Sequence, residues 1–497
     1  MVRLQIRVVA RSLTVQSKFA NQSGVDQSVQ RVVYGSPRRA RVAFVQRRPQ
    51  FLDRRVFRPG QQMFEHKESL RRTAHSGALE CRFDFPRRQH IRHKSKLRSS
   101  SKIADVPETR QERSLTLADR MKLAPARQAA FGALLAVDRG GWSAEALAAK
   151  SAHLDARDAG LALDIVFGTL RRRGEIDYII SKFSKRPVDQ LDAPVRIAIE
   201  MALYQLRFLD RVPAHAAVND SVELARRAGR SFAASFVNAV LRNALRRLPD
   251  APVSASTPSW LLERWIAQYG EETTQGIARA SLVTPESYIR VGNGVPPPGA
   301  RPTGVAGCYV LESGDPGPYR FQDIGSQSVV PLLDLQAGQT FLDVCAAPGN
   351  KTAQALETPL RAIACDLHHS RAKTLLTAGV PVAVIDATAP LPFSKRFDRV
   401  LVDAPCSGTG TLARNPEIKW RLKPEDIADL QRRQIAILRN SLRQVQPDGL
   451  LVYSTCSLER DENEEVVAAS GATLLKVMQR IPGREPGDGF FAAVLRP

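Results

Sequence analysis

The 497-residue chain is long enough for about three domains, and 43% hydrophobic with 25% charged residues is an ordinary globular composition. No apolar run reaches roughly 18 residues, and the six cysteines are scattered without a C-x-x-C pair, which excludes a helical membrane protein and argues against a disulfide scaffold or a metal site. The formal net charge of +22 is uneven: residues 1–120 carry +17 and the rest only +5, so the polyanionic partner that a basic excess implies attaches first to the N-terminal quarter.

Residues 1–120 show no sustained period and are broken by pairs such as Arg38-Arg39 and Arg71-Arg72. They are expected to form a basic extension without ordered structure. Three origins stay open for it: translation from upstream of a true start at Met121, a basic RNA-binding arm, or an organelle-targeting segment. From 121 to 250 the pattern is helical. Val195, Ala198/Ile199, Ala202/Leu203 and Leu206 recur at helical spacing, Phe232, Phe236, Val240 and Leu241 repeat it, and Asp192-Ala193-Pro194 marks a helix start. This predicts an all-α domain, in which Arg171, Arg172, Arg173, Arg226, Arg227 and Arg230 form either a solvated face or a phosphate-contacting one. Residues 251–320 are rich in Pro and Gly, notably Pro296-Pro297-Pro298-Gly299. They predict a small, poorly regular linker module with one helix from Trp260 to Tyr269, stopped by Gly270.

Across residues 321–497 short apolar strands alternate with helices. The expected strands are Thr340–Val344, Ala362–Cys365, Val382–Ile385, Arg399–Val402, Leu450–Ser454 and Phe490–Leu495. Such alternation predicts an α/β Rossmann-like domain with a mostly parallel, doubly wound sheet, whose ligands bind beyond the carboxyl ends of the strands. The unusual polar groups fall at those ends: Cys345-Ala346-Ala347-Pro348-Gly349-Asn350-Lys351, then Asp366, Asp386, Asp403 with Cys406, and Cys456. One glycine in the first loop is too few for a dinucleotide fingerprint, and Asn350 stands where a phosphate-binding loop needs glycine. Asp366 is placed to accept from ribose hydroxyls, so a nucleoside ligand without a phosphate fits, and S-adenosylmethionine meets that description. Free cysteine is commonly a buried core residue, and Cys365, inside a strand, is read that way. Cys406 and Cys456, at strand ends, are read as functional, because carbon 5 of a pyrimidine becomes nucleophilic only after a thiolate adds at carbon 6.

Three segments carry a resemblance: LDVCAAPGNKT (342–352), DAPCSGTGTLARNPEIKWR (403–421) and LVYSTCSLERDENEE (451–465) closely resemble motifs of the RNA cytosine-5 methyltransferases of the Nol/Nop/Sun family. LDARDAGLALDIVFGTLRRR (154–173), YQLRFLDRVPAHAAVNDSVELAR (204–226) and FVNAVLR (236–242) resemble the NusB-type RNA-binding domain of its Sun/RsmB branch, which modifies small-subunit (16S) ribosomal RNA. The resemblance runs from about 124 to 497. It implies that Cys456 is the nucleophile, and that Asp403 holds ring nitrogen 3 of the cytosine. To donate a proton there, Asp403 would need surroundings that favour its neutral form. Cys406 would assist breakdown of the covalent adduct. Cys345, Ala346, Ala347, Pro348, Gly349, Asn350, Lys351, Asp366, Asp386 and Asp403 would surround S-adenosylmethionine. It further implies that the partner is ribosomal RNA; the scattered cysteines fit a reducing, cytoplasmic setting, and a monomer without membrane or metal is expected. Asn350 replaces the family's usual second glycine, and 289–321 is shorter than the family's small RNA-binding subdomain. The competing reading is a catalytically inactive NusB-like RNA-binding or ribosome-assembly factor. Retention of both cysteines and the three cofactor-edge acids speaks against it.

Overall fold

A capping aspartate and first-turn prolines mark starts among the helices that open the described part of the chain. The structure, a computed structural model, describes residues 123–247 and 249–497, together with the backbone of three short strands at Phe19–Ala20, Asp26–Gln27 and Ala43–Val45. The expectations for the rest of residues 1–120 lie outside the described residues. Six helices come first: α1 (Pro125–Asp138), α2 (Ser143–Ser151), α3 (Ala156–Phe183), α4 (Ala193–Phe208), α5 (Ala214–Arg227) and α6 (Ala234–Arg246). The Asp155 carboxylate accepts from the Asp158 amide at 2.8 Å and starts the 28-residue α3. Pro125 and Pro194 sit in the first turns of α1 and α4, where no intrahelical N–H is required.

The stripe expected on α4 is buried. Val195, Ala198, Ile199, Ala202 and Leu203 share one core with Ile165 and Ile176 of α3 and with Val237, Val240 and Leu241 of α6. Phe232 departs from its expected stripe, because it lies in a short 3-10 turn ahead of α6 and is 79% exposed.

Residues 251–320 are more regular than their composition implied. Helices α7 (Ser259–Tyr269) and α8 (Glu271–Ala280) lead into β1 (Tyr288–Arg290), β2 (Ala300–Pro302), β3 (Cys308–Leu311) and β4 (Arg320–Phe321), an antiparallel sheet in the order β2-β3-β1-β4. Strands of two to four residues are too short to show a period-2 alternation, which is why the sequence pattern missed them.

The large sheet contains β5 (Thr340–Asp343), β6 (Arg361–Asp366), β7 (Val382–Val384), β8 (Phe397–Asp403), β9 (Val445–Thr455), β10 (Thr473–Arg480) and β11 (Phe490–Arg496). Its order is β10-β11-β9-β8-β5-β6-β7, with Ala43–Val45 antiparallel on β7. From β7 to β9 every pairing is parallel, and β11 and β10 add antiparallel. The strand order reverses between β5 and β8, which opens a crevice at their carboxyl ends. Strand β10 was not anticipated, since as an edge strand exposed along most of its length it lacks a buried face to pattern it.

The helical and α/β parts meet through residues 413–421. The amide and hydroxyl of Ser143 donate to Glu417 Oε1 at 2.9 and 2.8 Å, Lys419 Nζ donates to the Arg171 carbonyl at 3.0 Å, and Trp420 Nε1 donates to the Leu170 carbonyl at 2.8 Å. In return, Arg171 Nε donates to the Ala413 carbonyl at 2.7 Å. Arg171 is therefore a buried joint residue, neither a solvated nor a phosphate-contacting one. Gly174 allows the close approach: a Cβ there would lie 1.7 Å from the Ala255 carbonyl oxygen and 3.0 Å from the Trp420 ring.

Candidate active site at the strand ends

An acid closing a buried parallel strand is fixed by the ladder behind it, and three such acids line the crevice. Asp366, last residue of β6, is buried and accepts the amides of Ala347 at 3.3 Å and His368 at 2.9 Å. It thereby ties the loop after β5 to the loop after β6. Arg371 completes the tie by donating to the Ala347 carbonyl at 2.8 Å. Gly349 turns that loop into the short helix Asn350–Ala355 at φ +107°, where a Cβ would also stand 3.0 Å from Leu375. Asn350 takes the next position and donates to the Phe321 carbonyl at 3.3 Å, so the residue that replaces a glycine is anchored from the side.

Asp343, at the end of β5, is an acid that the sequence reading passed over. It accepts from Thr352 Oγ1 at 2.7 Å through one oxygen, while its buried Oδ1 has no hydrogen-bond partner among the described residues. Burial first, and then the charge of Asp403, push its carboxyl up to about 7 against the Thr352 hydrogen bond. An orphan acceptor beside a glycine-turned loop, with the Asp366 carboxylate across from it, is a donor-seeking cradle. These residues fit S-adenosylmethionine, which brings an ammonium and ribose hydroxyls as donors and no phosphate. Asp386 lies past the end of β7, is exposed, and accepts the Thr388 amide at 3.0 Å and hydroxyl at 2.6 Å, closing its own turn.

Asp403 ends β8 directly opposite Ser454 of β9, and Ser454 Oγ donates to its Oδ1 at 2.9 Å. Lys351 crosses the β5–β8 crevice to place Nζ 2.8 Å from Asp403 Oδ2, with the same ammonium 4.9 Å from the Phe490 ring centroid. Sequence reading puts Lys351 in the cofactor loop; its ammonium lies on Asp403, the acid assigned to both cofactor and base. With a cation this close Asp403 is placed to accept, and Lys351 is the member of the pair with protons to give.

Three residues beyond Asp403, Cys406 brings its sulfur to 3.4 Å from Cys456, which follows β9. Both thiols are half-buried. The hydrogen bond between them, with desolvation second, pushes the Cys406 thiol well above the ordinary thiol range, so Cys406 is held protonated. Cys345 and Cys365 are pushed up by desolvation and then by neighbouring acids, and among the described residues neither thiol has a sulfur hydrogen bond like that of Cys406 with Cys456. Cys365 is buried in β6, as expected of a core cysteine. Of the strand-end cysteines, then, two form a pair and Cys345 stands apart.

Comparison with known proteins agrees with this geometry. A family described as 16S rRNA methyltransferase RsmB/F matches residues 330–474, and the NusB family matches residues 124–246. A probable ribosomal RNA small subunit methyltransferase B of Bacillus subtilis (strain 168) is 33% identical over 367 residues, which is 64% of this chain and 81% of the relative. The ribosomal RNA small subunit methyltransferase B of Cronobacter sakazakii is 31% identical over 390 residues, or 68% of this chain and 90% of the relative. Among solved structures, that of PH0851 superposes with a TM-score of 0.65 at 23% identity, covering 75% of this chain and 99% of that one, a likeness of fold.

Proposed function

This chain belongs to the RsmB/F family of 16S rRNA methyltransferases, which makes it an S-adenosylmethionine-dependent enzyme, and from that premise we propose that it methylates carbon 5 of a cytosine in small-subunit rRNA through a covalent bond to Cys456. The observation that carries the reading is the 3.4 Å pair of thiols beside the Lys351–Asp403 ion pair, at adjacent strand ends. Methylation of an amine or a hydroxyl needs neither sulfur. S-adenosylmethionine, when bound, supplies an electrophilic methyl group; the 345–351 loop, Asp343, Asp366 and Asp386 are the residues that would hold it.

The chain's own residues account for the rest. Cys456, as thiolate, bonds to carbon 6 of the cytosine, and the electron pair of the 5,6 double bond moves toward carbon 5 and ring nitrogen 3. Asp403 orients the base at that nitrogen, while Lys351 supplies the proton and the charge that offset the developing anion. The bond of Cys456 to carbon 6 removes the thiol hydrogen bond that holds Cys406 protonated, so that once carbon 5 carries its methyl group Cys406 releases its own proton to solvent and takes the one from carbon 5. The pair left behind restores the double bond and expels Cys456 as thiolate, the proton lent to ring nitrogen 3 having returned to Lys351 when carbon 5 took up the methyl group. The target nucleotide has to stand out of any helix to reach this edge, so a loop or a flipped base is the substrate. The helical domain of 121–250 and the small sheet within 251–320 are assigned to RNA contact, and 321–497 to catalysis. A ribosomal RNA substrate is the support for placing the protein in the cytoplasm, where it is proposed to act as a monomer. No helix among the described residues is long and apolar enough to cross a membrane.

The test separates the sulfurs. Cys456→Ala abolishes methylation with no covalent protein–RNA species, whereas Cys406→Ala forms the adduct and stalls its release, giving a shifted band on a denaturing gel with labelled RNA and cofactor. A band from Cys456→Ala alone would exchange the roles. Methylation intact in both variants would end the reading.

A further inference from the structure

Each paired thiol is followed in the chain by a serine, and both serines converge on one acid. Glu462 is fully buried, at 0% exposure, in a short 3-10 turn that follows β9. Its Oε1 accepts the Ser407 amide at 2.8 Å and Gln434 Nε2 at 2.9 Å. Its Oε2 accepts the hydroxyl of Ser457 at 2.5 Å and also that of Ser407, whose two oxygens lie 3.0 Å apart. Gln434 in turn holds the Pro405 carbonyl at 2.9 Å, just ahead of Cys406. The backbone carbonyl of Glu462 is itself fixed by the Tyr453 hydroxyl of β9 at 2.6 Å. Four donors on two oxygens use the acceptor capacity of an ionised carboxylate, which no other side chain of that length offers.

Ser407 and Ser457 come from loops 50 residues apart in sequence, so nothing local fixes the distance between the cysteines that precede them. We propose that Glu462 is a positioning residue that sets the spacing of Cys406 from Cys456, and thereby controls release of the covalent RNA adduct more than its formation. This rests on the thiol chemistry proposed above. Cys456 continues directly from a strand paired on both sides, so it keeps its place without the clamp. Cys406 lies on a loop and depends on Ser407 for its approach. Glu462 touches no reacting atom. It acts through the two serines.

The experiment quenches single-turnover reactions with labelled RNA and cofactor in denaturant, and follows the covalent species and the methylated product separately. Glu462→Ala is expected to slow release by at least about tenfold, with adduct formation within about threefold of the parent protein, since an ångström of misplacement at a reacting group can cost up to two orders of magnitude in rate. Glu462→Gln keeps the length and one oxygen for the two hydroxyls but turns its amide NH2 toward the Ser407 and Gln434 N–H groups, and is expected to restore the release rate in part. Should Glu462→Ala not fold, the double variant Ser407→Ala/Ser457→Ala removes only two hydroxyls and is expected to give the same accumulated adduct. Loss of formation and release in equal proportion, in whichever variant folds, would overturn the clamp. Cys406→Ala serves as the control: if it accumulates adduct while the clamp variants do not, Glu462 loses its role and the thiol chemistry stands. If Cys406→Ala methylates normally without any adduct, the underlying chemistry fails, and the clamp with it.

Discussion

Lys419 offers a direct measure of how the two halves of the protein are joined. Its ammonium is 1% exposed, is donated to the Arg171 carbonyl, and lies among Arg171, Arg172 and Glu175. Burial pushes it down to about 7, with Glu175 opposing and the two arginines adding to the fall. In the unfolded chain a lysine titrates near about 10.4. Below pH 7 both states are protonated, and the cost of burying the ammonium is fully present. Between about 7 and 10.4 the unfolded chain binds a proton that the folded protein does not, so stability rises with pH in that window. The slope is about 1.4 kcal/mol per pH unit, or roughly 5 kcal/mol across the window as a ceiling. Lys419→Met keeps the length of the side chain and removes the charge. At pH 6.5 the variant is expected to match or exceed the parent protein by about 1–4 kcal/mol, as replacement of a buried charge by a well-packed apolar group does. That advantage should close as the pH is raised to 9.5, in urea titrations followed by tryptophan fluorescence, because other titrating groups cancel in the difference. A constant gap over that range would show that Lys419 is charged in the folded protein throughout, and the argument would fail.

Other outcomes follow from the crevice and the joint. Asp366→Ala is expected to weaken S-adenosylmethionine binding by roughly 1–3 kcal/mol, the scale of hydrogen bonds to a charged group, with RNA affinity unchanged; calorimetry showing full cofactor affinity would remove Asp366 from the site. Gly349→Ala places a Cβ at φ +107° and 3.0 Å from Leu375, so it should lower stability by roughly 1–2 kcal/mol and weaken cofactor binding with it. A melting temperature and a cofactor affinity both equal to the parent's would count against that loop geometry. Trp420→Phe removes the hydrogen bond to the Leu170 carbonyl and should cost about 1 kcal/mol in thermal or denaturant unfolding, with the ring packing retained.

What could be read from the sequence divides along physical lines. Asp366, Asp403 and Cys456 were legible because each follows a short apolar run, and such runs alternating with helices read as buried parallel strands whose ends open onto the ligand edge. Contacts across the chain were not legible in the same way. Whether Arg171 faces solvent depends on the Ala413 carbonyl, 242 residues away, and the aim of Lys351 depends on an acid 52 residues on. Glu462 sat in a run of acids, DENEE, that looks like a solvated helix start until Ser407 is brought to it from 55 residues away.

The stretch from Asp403 to Arg421 shows why such contacts matter to function. As sequence it reads as one motif, yet the fold divides it between two tasks. Its first four residues carry Asp403 and Cys406 at the strand end, while Glu417, Lys419 and Trp420 at its far end are embedded in α1–α3 and their connections through Ser143, Arg171 and Leu170. Between them, the Gly410 amide donates to the Cys456 carbonyl at 2.9 Å, and Arg414 binds Asp488 and Asp323 at 2.8 and 2.9 Å. The segment is thus held at both ends and in the middle. A shift of the helical domain would have to strain the Cys406 loop or break the Lys419 and Trp420 bonds. On the function proposed, with the helical domain contacting RNA and Cys406 assisting release of the adduct, the placement of the RNA and the placement of that thiol become one structural problem, solved by the same nineteen residues.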